Sequence, residues 1–386
     1  MKLSKHLAIF LYSMIILSKV TVQASNIQIN EIMASNATAY ENPNSKFDDW
    51  IELKNNTATT INIGGYYLSD DKTQPLKWKI PANTLLYGYS YRIIYADGEN
   101  SVMHTNFKLN EDGEFIGLYT PNGTVVDSFS FGKQRVDISF GRNQNTGSLV
   151  YFTKSTPGTS NVSSTITGIC PSPIFSKSGG FYNTNQSIEL SGQQGYDIYY
   201  STDGTIPTFN STKYSTPIPI STITCLRAIC TKTNMLQSDV ITHTYFINTQ
   251  QNLPIISLTT NPNNFFSDDS GIYVIGTNGI AAGCSSTPMN LNQDWERPAN
   301  IEYFDKNGIE QINQIAGVKI FGGCSRQRYP IKSLSLKAST YYGKNSFDYP
   351  FFKSRPMKSY EDILLRSASD DQTLTMMRDA LSQTLC

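Results

Sequence analysis

Tyr196-Asp-Ile-Tyr-Tyr-Ser-Thr-Asp-Gly-Thr-Ile-Pro-Thr208 reads as a strand that runs into a tight turn. Tyrosine and isoleucine suit a half-buried pleated surface. Asp203-Gly204 supplies the side-chain capping and the positive φ that a hairpin requires. Further strands are expected at Ser187–Leu190, Thr222–Thr231 and Val240–Ile247. Together they make residues 171–248 a small β-sandwich.

Upstream, the same grammar repeats. Asn26-Ile-Gln-Ile-Asn30, Trp50-Ile-Glu-Leu53, Tyr91-Arg-Ile-Ile-Tyr95 and Phe115-Ile-Gly-Leu-Tyr119 are strands. Gly64-Gly65, Asp97-Gly98, Asp112-Gly113 and Asn122-Gly123 punctuate them. Residues 25–152 are therefore expected to form a β-sandwich, with Trp50, Leu53, Tyr67, Leu68 and Trp78 filling its core. Glu31 and Glu52 each lie inside an apolar strand, where a carboxylate needs a partner. They read as a metal or ligand contact, as outward-facing positions, or as hydrogen-bonded structural groups. The polar, Ser/Thr-rich stretch 153–170 reads as a linker.

Downstream, residues 249–386 open with strands at Ile255–Leu258, Ala299–Phe304 and Gly317–Phe321 and an alternating run at Ile331–Leu336. Leu374, Met377 and Leu381 then fall at helical spacing behind Asp370-Asp371, which cap the helix or belong to a site. The third unit is thus read as α+β, a sheet first and a helix only at its end. A domain whose first helix meets the last residue is expected to be C-terminally truncated.

Composition narrows the function. The chain has 386 residues, room for two or three domains at roughly 150 residues each. Its 31 Lys+Arg balance 31 Asp+Glu, which removes the cationic surplus that bulk nucleic-acid binding needs. Met1–Lys5 is basic, Leu7–Leu17 apolar, and Val22-Gln-Ala24 a small-residue cleavage pattern. Residues 1–24 therefore read as a secretory signal peptide, which predicts a secreted or surface protein with no membrane span after cleavage. The six cysteines form no CxxC pair, so a structural zinc site of that kind is not expected. Cys225 and Cys230 fall on opposite faces of one strand. Cys284 and Cys324 are either a disulfide or two buried thiols. His104 and His243 lack any serine or cysteine motif around them, and G-x-S-x-G and H-E-x-x-H are absent.

Three stretches resemble known families. Ile29-Asn-Glu-Ile-Met-Ala-Ser35, Asp49-Trp-Ile-Glu-Leu53, Gly64–Asp70, Trp78-Lys-Ile-Pro81 and Phe140-Gly-Arg142 together resemble a lamin tail domain, which implies an immunoglobulin-like sandwich that binds or spaces. Tyr196–Thr208, Tyr214–Ile220 and Tyr245-Phe-Ile247 resemble the C-terminal domain of chitobiases and β-hexosaminidases. That family's glycosidase chemistry lies in another domain, so hydrolysis is not implied. Tyr199 or Tyr200 could stack on a sugar or pack inside the sandwich. Gly317–Arg326, Tyr329–Lys337, Tyr349–Phe352 and Ile363–Asp371 leading to Met377–Leu381 resemble the N-terminal half of a CotH (spore coat protein H) kinase domain.

This last resemblance implies an atypical kinase acting with ATP and Mg²⁺ on secreted or surface proteins. Phosphoryl transfer needs cations against the phosphates and carboxylates for the metal. Lys332 is the favoured phosphate contact by the resemblance, with Lys337 in reserve. On one strand the two point to opposite faces, so one at most enters a given cleft. Arg326 and Arg328 add charge beside the Gly322-Gly323 turn, and each of these cations also reads as an ordinary surface residue. No catalytic residue can be matched, because the family's acidic residues lie beyond the part represented. The other reading is an adhesion or scaffold protein whose sandwiches bind glycan or protein.

Overall fold

The computed structural model describes residues 25–162, 164–352 and 355–368. The expected signal peptide, the Leu374–Leu381 helix and Asp370-Asp371 lie outside the described residues. No helix among the described residues is long and apolar enough to cross a membrane.

The chain is mainly β. In the first unit, β1 (Ile27–Met33), β2 (Trp50–Asn55), β3 (Tyr67–Ser69), β4 (Trp78–Lys79) and β5 (Tyr91–Tyr95) are followed by β6 (Glu114–Tyr119), β7 (Val125–Phe131), β8 (Ser139–Arg142) and β9 (Leu149–Phe152). They form two sheets, β9-β8-β1-β2-β5 and β4-β3-β6-β7. Ile29, Ile51, Leu53, Leu68, Trp78, Ile116 and Leu118 share the buried core between them. The strand alternation that puts Leu53 into that core turns Trp50 to the other face of β2. There the indole packs with Met33, Tyr95 and Tyr40. Trp50 is therefore buried as expected but outside the main core, and Tyr67 is half-buried.

A bulge after Ile29 shifts the β1–β2 register so that Glu31 stands opposite Glu52. The extra residue, Asn30, turns Glu31 away from the core and onto the Trp50 face. The stretch read as a linker lies across that face. Thr156, Gly158 and Asn161 bond to β1 and β2, and Ile166 and Ile169 pack on the first unit's core. The polar stretch is therefore held against the first unit: its polar groups are the partners that two buried carboxylates require.

The second unit is a sheet of order β10-β14-β13-β11-β12, from β10 (Gly180–Tyr182), β11 (Asp197–Ser201), β12 (Thr212–Lys213), β13 (Thr224–Thr231) and β14 (Ile241–Ile247). β10 and β14, the first and last strands of this sheet, pair in parallel. Ser187–Leu190 is not one strand. Gln186–Ile188 pairs with Ile218–Ile220, and Leu190–Ser191 with Ile174–Phe175. The chain changes partner at Glu189, whose N–H donates to Ser176 Oγ at 2.9 Å. Tyr200 packs on this unit's core, while Tyr199 lies half-buried on the opposite face.

The third unit contains β15 (Ile255–Thr259), β16 (Ile280–Ala282), β17 (Ser285–Met289), β18 (Arg297–Phe304), β19 (Glu310–Phe321), β20 (Ser333–Lys337) and β21 (Asp362–Leu365). Five of these form an antiparallel sheet, β15-β18-β19-β20-β21, while β16 and β17 pair as a separate ribbon. One face carries the core: Ala299, Ile301, Ala316, Val318 and Leu336 pack against Phe265, Tyr273, Tyr349 and Phe351. Helix appears earlier than expected, as single turns α1 (Pro262–Phe266) and α2 (Ser325–Arg328). The Asn261 side chain accepts from Asn263 N with Pro at the first turn, a local cap that needs no long amphipathic run. The described part of this unit is thus a sheet with isolated helical turns.

Cys284 and Cys324 form a disulfide, with Cα atoms 5.1 Å apart. It ties the β16–β17 ribbon to the turn before α2. Gln327 reinforces this by donating to Ala282 O at 2.5 Å and to Asn292 Oδ1 at 2.9 Å. Cys170, Cys225 and Cys230 are free thiols among the described residues.

The units are joined by side chains. Asp239 of the second takes Lys133 and Arg135 of the first. Between second and third, Phe181 stacks on Phe246 at 4.5 Å, and both meet the edge of Phe304. Beside them Glu302 accepts from Thr244 N at 2.8 Å and from Thr244 Oγ1.

Candidate functional site

Register sets the faces of the third unit's sheet. Gly317 pairs with Lys337, Lys319 with Ser335, and Phe321 with Ser333, while Ser335 pairs with Leu364 and Lys337 with Asp362. All of these point away from the core. The β15–β18 half of this outer face is covered by the second unit through Glu302 and Phe304. Among the described residues the β19–β21 half is open, with Phe321 half exposed, Leu364 partly exposed and Lys337 exposed.

Charge converges on the open half. Lys319 pairs with Asp294. That hydrogen bond, together with the positive charges of Lys319, Arg326 and Lys337, holds the Asp294 carboxyl below the usual range. The Glu296 carboxyl lies against the sheet at Gly317, where a Cβ would come within 2.4 Å of it; any larger residue would displace it. Tyr342 donates to Glu296 Oε1 at 2.8 Å. Cations, carboxylates and an apolar floor therefore share one surface.

The four sequence-derived cations divide. Lys337 lies on this face at the end of β20. Arg326 sits on α2 near it, its Nε buried without a partner among the described residues. Arg328 is on the same turn. Lys332 lies elsewhere: β20 begins at Ser333, because Pro330 offers no N–H and the Lys332 N–H donates to Tyr273 Oη at 2.9 Å. Its Nζ donates to Tyr329 O at 2.8 Å and lies 5.5 Å from the centre of the Tyr273 ring, on the core side. Burial pushes its ammonium pKa down. Lys332 lies before the strand and Lys337 on it, so the two do not share one strand as the sequence reading assumed. Lys319, Asp294 and Glu296 were missed, although Lys319 is legible as the same-face neighbour of Lys337 once the hairpin is drawn.

Glu31 and Glu52 are anchors. Glu31 accepts from Ser139 Oγ, Thr156 N and Thr156 Oγ1. Glu52 accepts from Asn30 Nδ2 and Gly158 N, each at 2.6 Å. All four oxygens are occupied, so these are hydrogen-bonded structural carboxylates. Burial pushes Glu52 up to about 8 and raises Glu31. Just before β2, Asp48 and Asp49 join Asp97 and Glu111 in lining a cleft of about 740 Å³ that Ser339–Tyr341 also border. His104, outside that lining, bonds through Nδ1 to Asp97.

Residues 21–133 match the family model of the Lamin Tail Domain. Residues 177–242 match that of the Chitobiase/beta-hexosaminidase C-terminal domain. No curated protein gives a significant match to the chain. The lamin tail unit continues past its matched span through β8, β9 and the strap at 153–162, since these complete the sheet that holds Glu31. The chitobiase-type unit likewise extends to β14, the strand through which it meets the third unit. Both are immunoglobulin-like modules of a modular protein.

Proposed function

We propose that this is an exported modular protein in which the lamin tail and chitobiase-type units hold a CotH-like nucleotide-binding lobe. In that role it contributes to ATP- and Mg²⁺-dependent phosphorylation of a secreted or surface protein. The open half of the outer sheet face carries the reading: Phe321 and Leu364 offer a surface for a base, and Lys319, Lys337 and Arg326 offer charge for phosphates. Lys319 is held by Asp294, which a polyphosphate would displace or which would join it around Mg²⁺. Lys337, with Lys319, replaces Lys332 as the favoured phosphate contact, because the Lys332 ammonium is already bonded on the covered side.

Calorimetry of the full chain with ATP and Mg²⁺ tests this. Lys319→Ala and Lys337→Ala should each weaken binding by about tenfold, the loss of one charge-assisted hydrogen bond. Lys332→Ala should leave it unchanged. A chain that binds no nucleotide, or whose two outer-face variants bind like the parent, leaves the adhesion or scaffold reading in its place.

A further inference from the structure

At the seam between the second and third units three metal-ligating side chains meet. His243 comes from β14, Glu302 from β18 and Glu310 from the start of β19. One ligand atom from each lies within 4.8 Å of the others. We propose that His243, Glu302 and Glu310 form a binding site for a divalent transition metal of the zinc class, joining the two units. This site is separate from the nucleotide face and does not depend on it.

Four observations support the assignment. His243 Nδ1 is buried and has no hydrogen-bond partner among the described residues, an arrangement that costs free energy unless something fills it. Its distance to Glu310 Oε2 is 3.9 Å, too long for a hydrogen bond. Two ligands of one zinc, each bonded at about 2.0–2.2 Å, stand roughly 3–4 Å apart, so that spacing suits a shared ion. The carboxylates also keep capacity. Glu302 accepts from Thr244 and Ser257, and Glu310 Oε2 from Asn313 Nδ2 at 3.3 Å, yet each carboxylate oxygen has a second lone pair. Finally, the charges balance: two carboxylates and a neutral imidazole match one divalent cation. Arg227, whose charge is felt by Glu302, directs its N–H groups to Thr242 Oγ1 and Gly204 O instead.

One imidazole with two carboxylates favours zinc-like ions over Ca²⁺ or Mg²⁺, which prefer all-oxygen shells.

The test uses the full chain after chelator dialysis, titrated with Zn²⁺ by calorimetry and checked by elemental analysis. The parent should take up one ion at this seam, and His243→Phe and Glu310→Gln should each weaken it at least about tenfold. His104→Gln, in the Asp48–Asp97–His104 group, should leave it intact. No uptake by the parent, unchanged affinity in both seam variants, or loss that follows His104→Gln overturns the site. If a seam variant misfolds, the parent decides. Zn²⁺ should then slow amide exchange in Ile241–Ile247 and Glu310–Phe321 but not in Trp50–Asn55, and the absence of such local slowing overturns the proposal.

Discussion

Glu52 has no accessible surface, and its carboxylate meets an asparagine amide and a backbone N–H but, among the described residues, pairs with no cation. Desolvation dominates, so the folded-state pKa rises from 4.5 to about 8. Asp49, just before β2, rises to about 7 for the same reason. A carboxyl whose folded pKa lies above its unfolded value binds protons more tightly when folded. Its contribution is therefore full below the unfolded value near 4.5 and is lost as pH rises through about 8. Urea denaturation should show the parent losing stability between about pH 5 and pH 9, and Glu52→Gln should flatten that decline. A variant whose profile runs parallel to the parent's would contradict the assignment. The sequence marks Glu31 and Glu52 as awkward because a carboxylate in an apolar strand must be satisfied. It does not reveal Thr156 and Gly158 as the satisfying groups, because that pairing depends on long-range folding.

At the scale of elements, the strap over β1 and β2 is held by Asn161. Its Nδ2 donates to Asn30 O at 3.2 Å and Arg142 O at 2.9 Å, and its Oδ1 accepts from Asn30 Nδ2 at 2.6 Å. Asn161→Ala should cost about 2 kcal/mol in urea denaturation, since a buried carbonyl and amide lose a partner. Hydrogen exchange should quicken first in the strap; an unaltered midpoint would make it a passive covering. Strand existence was legible almost throughout, because alternation and Asp-Gly or Asn-Gly turns are local signals. Strand limits were less so: the start of β20 depends on Tyr273 capturing the Lys332 N–H, and the split at Glu189 on Ser176. The open sheet face follows from the parity of Lys337, but Asp294 and Glu296 reach it from a neighbouring loop that no spacing rule identifies.

Across the whole molecule, the lamin tail and chitobiase-type modules were legible in their motifs, but the attachment between units was not. The ties join residues remote in sequence, such as Asp239 with Lys133 and Arg135, or Phe304 with Phe181 and Phe246. Phe304 is fully buried at the second seam. Phe304→Ala should cost about 3–5 kcal/mol and separate the melting of the third unit from that of the second in scanning calorimetry. A single unsplit transition near the parent's midpoint would mean that the aromatic cluster does not couple them.

The parallel pairing of β10 with β14 has a mechanical consequence. The chain enters this sheet along β10 and leaves it along β14, so tension between the flanking units pulls the two strands lengthwise in opposite directions. The bonds from Gly180–Tyr182 to Tyr245–Ile247 are then loaded together in shear instead of parting one at a time. Stretched between an anchor and a tethered target, this middle unit would yield late, and the chain could transmit a pull without lengthening.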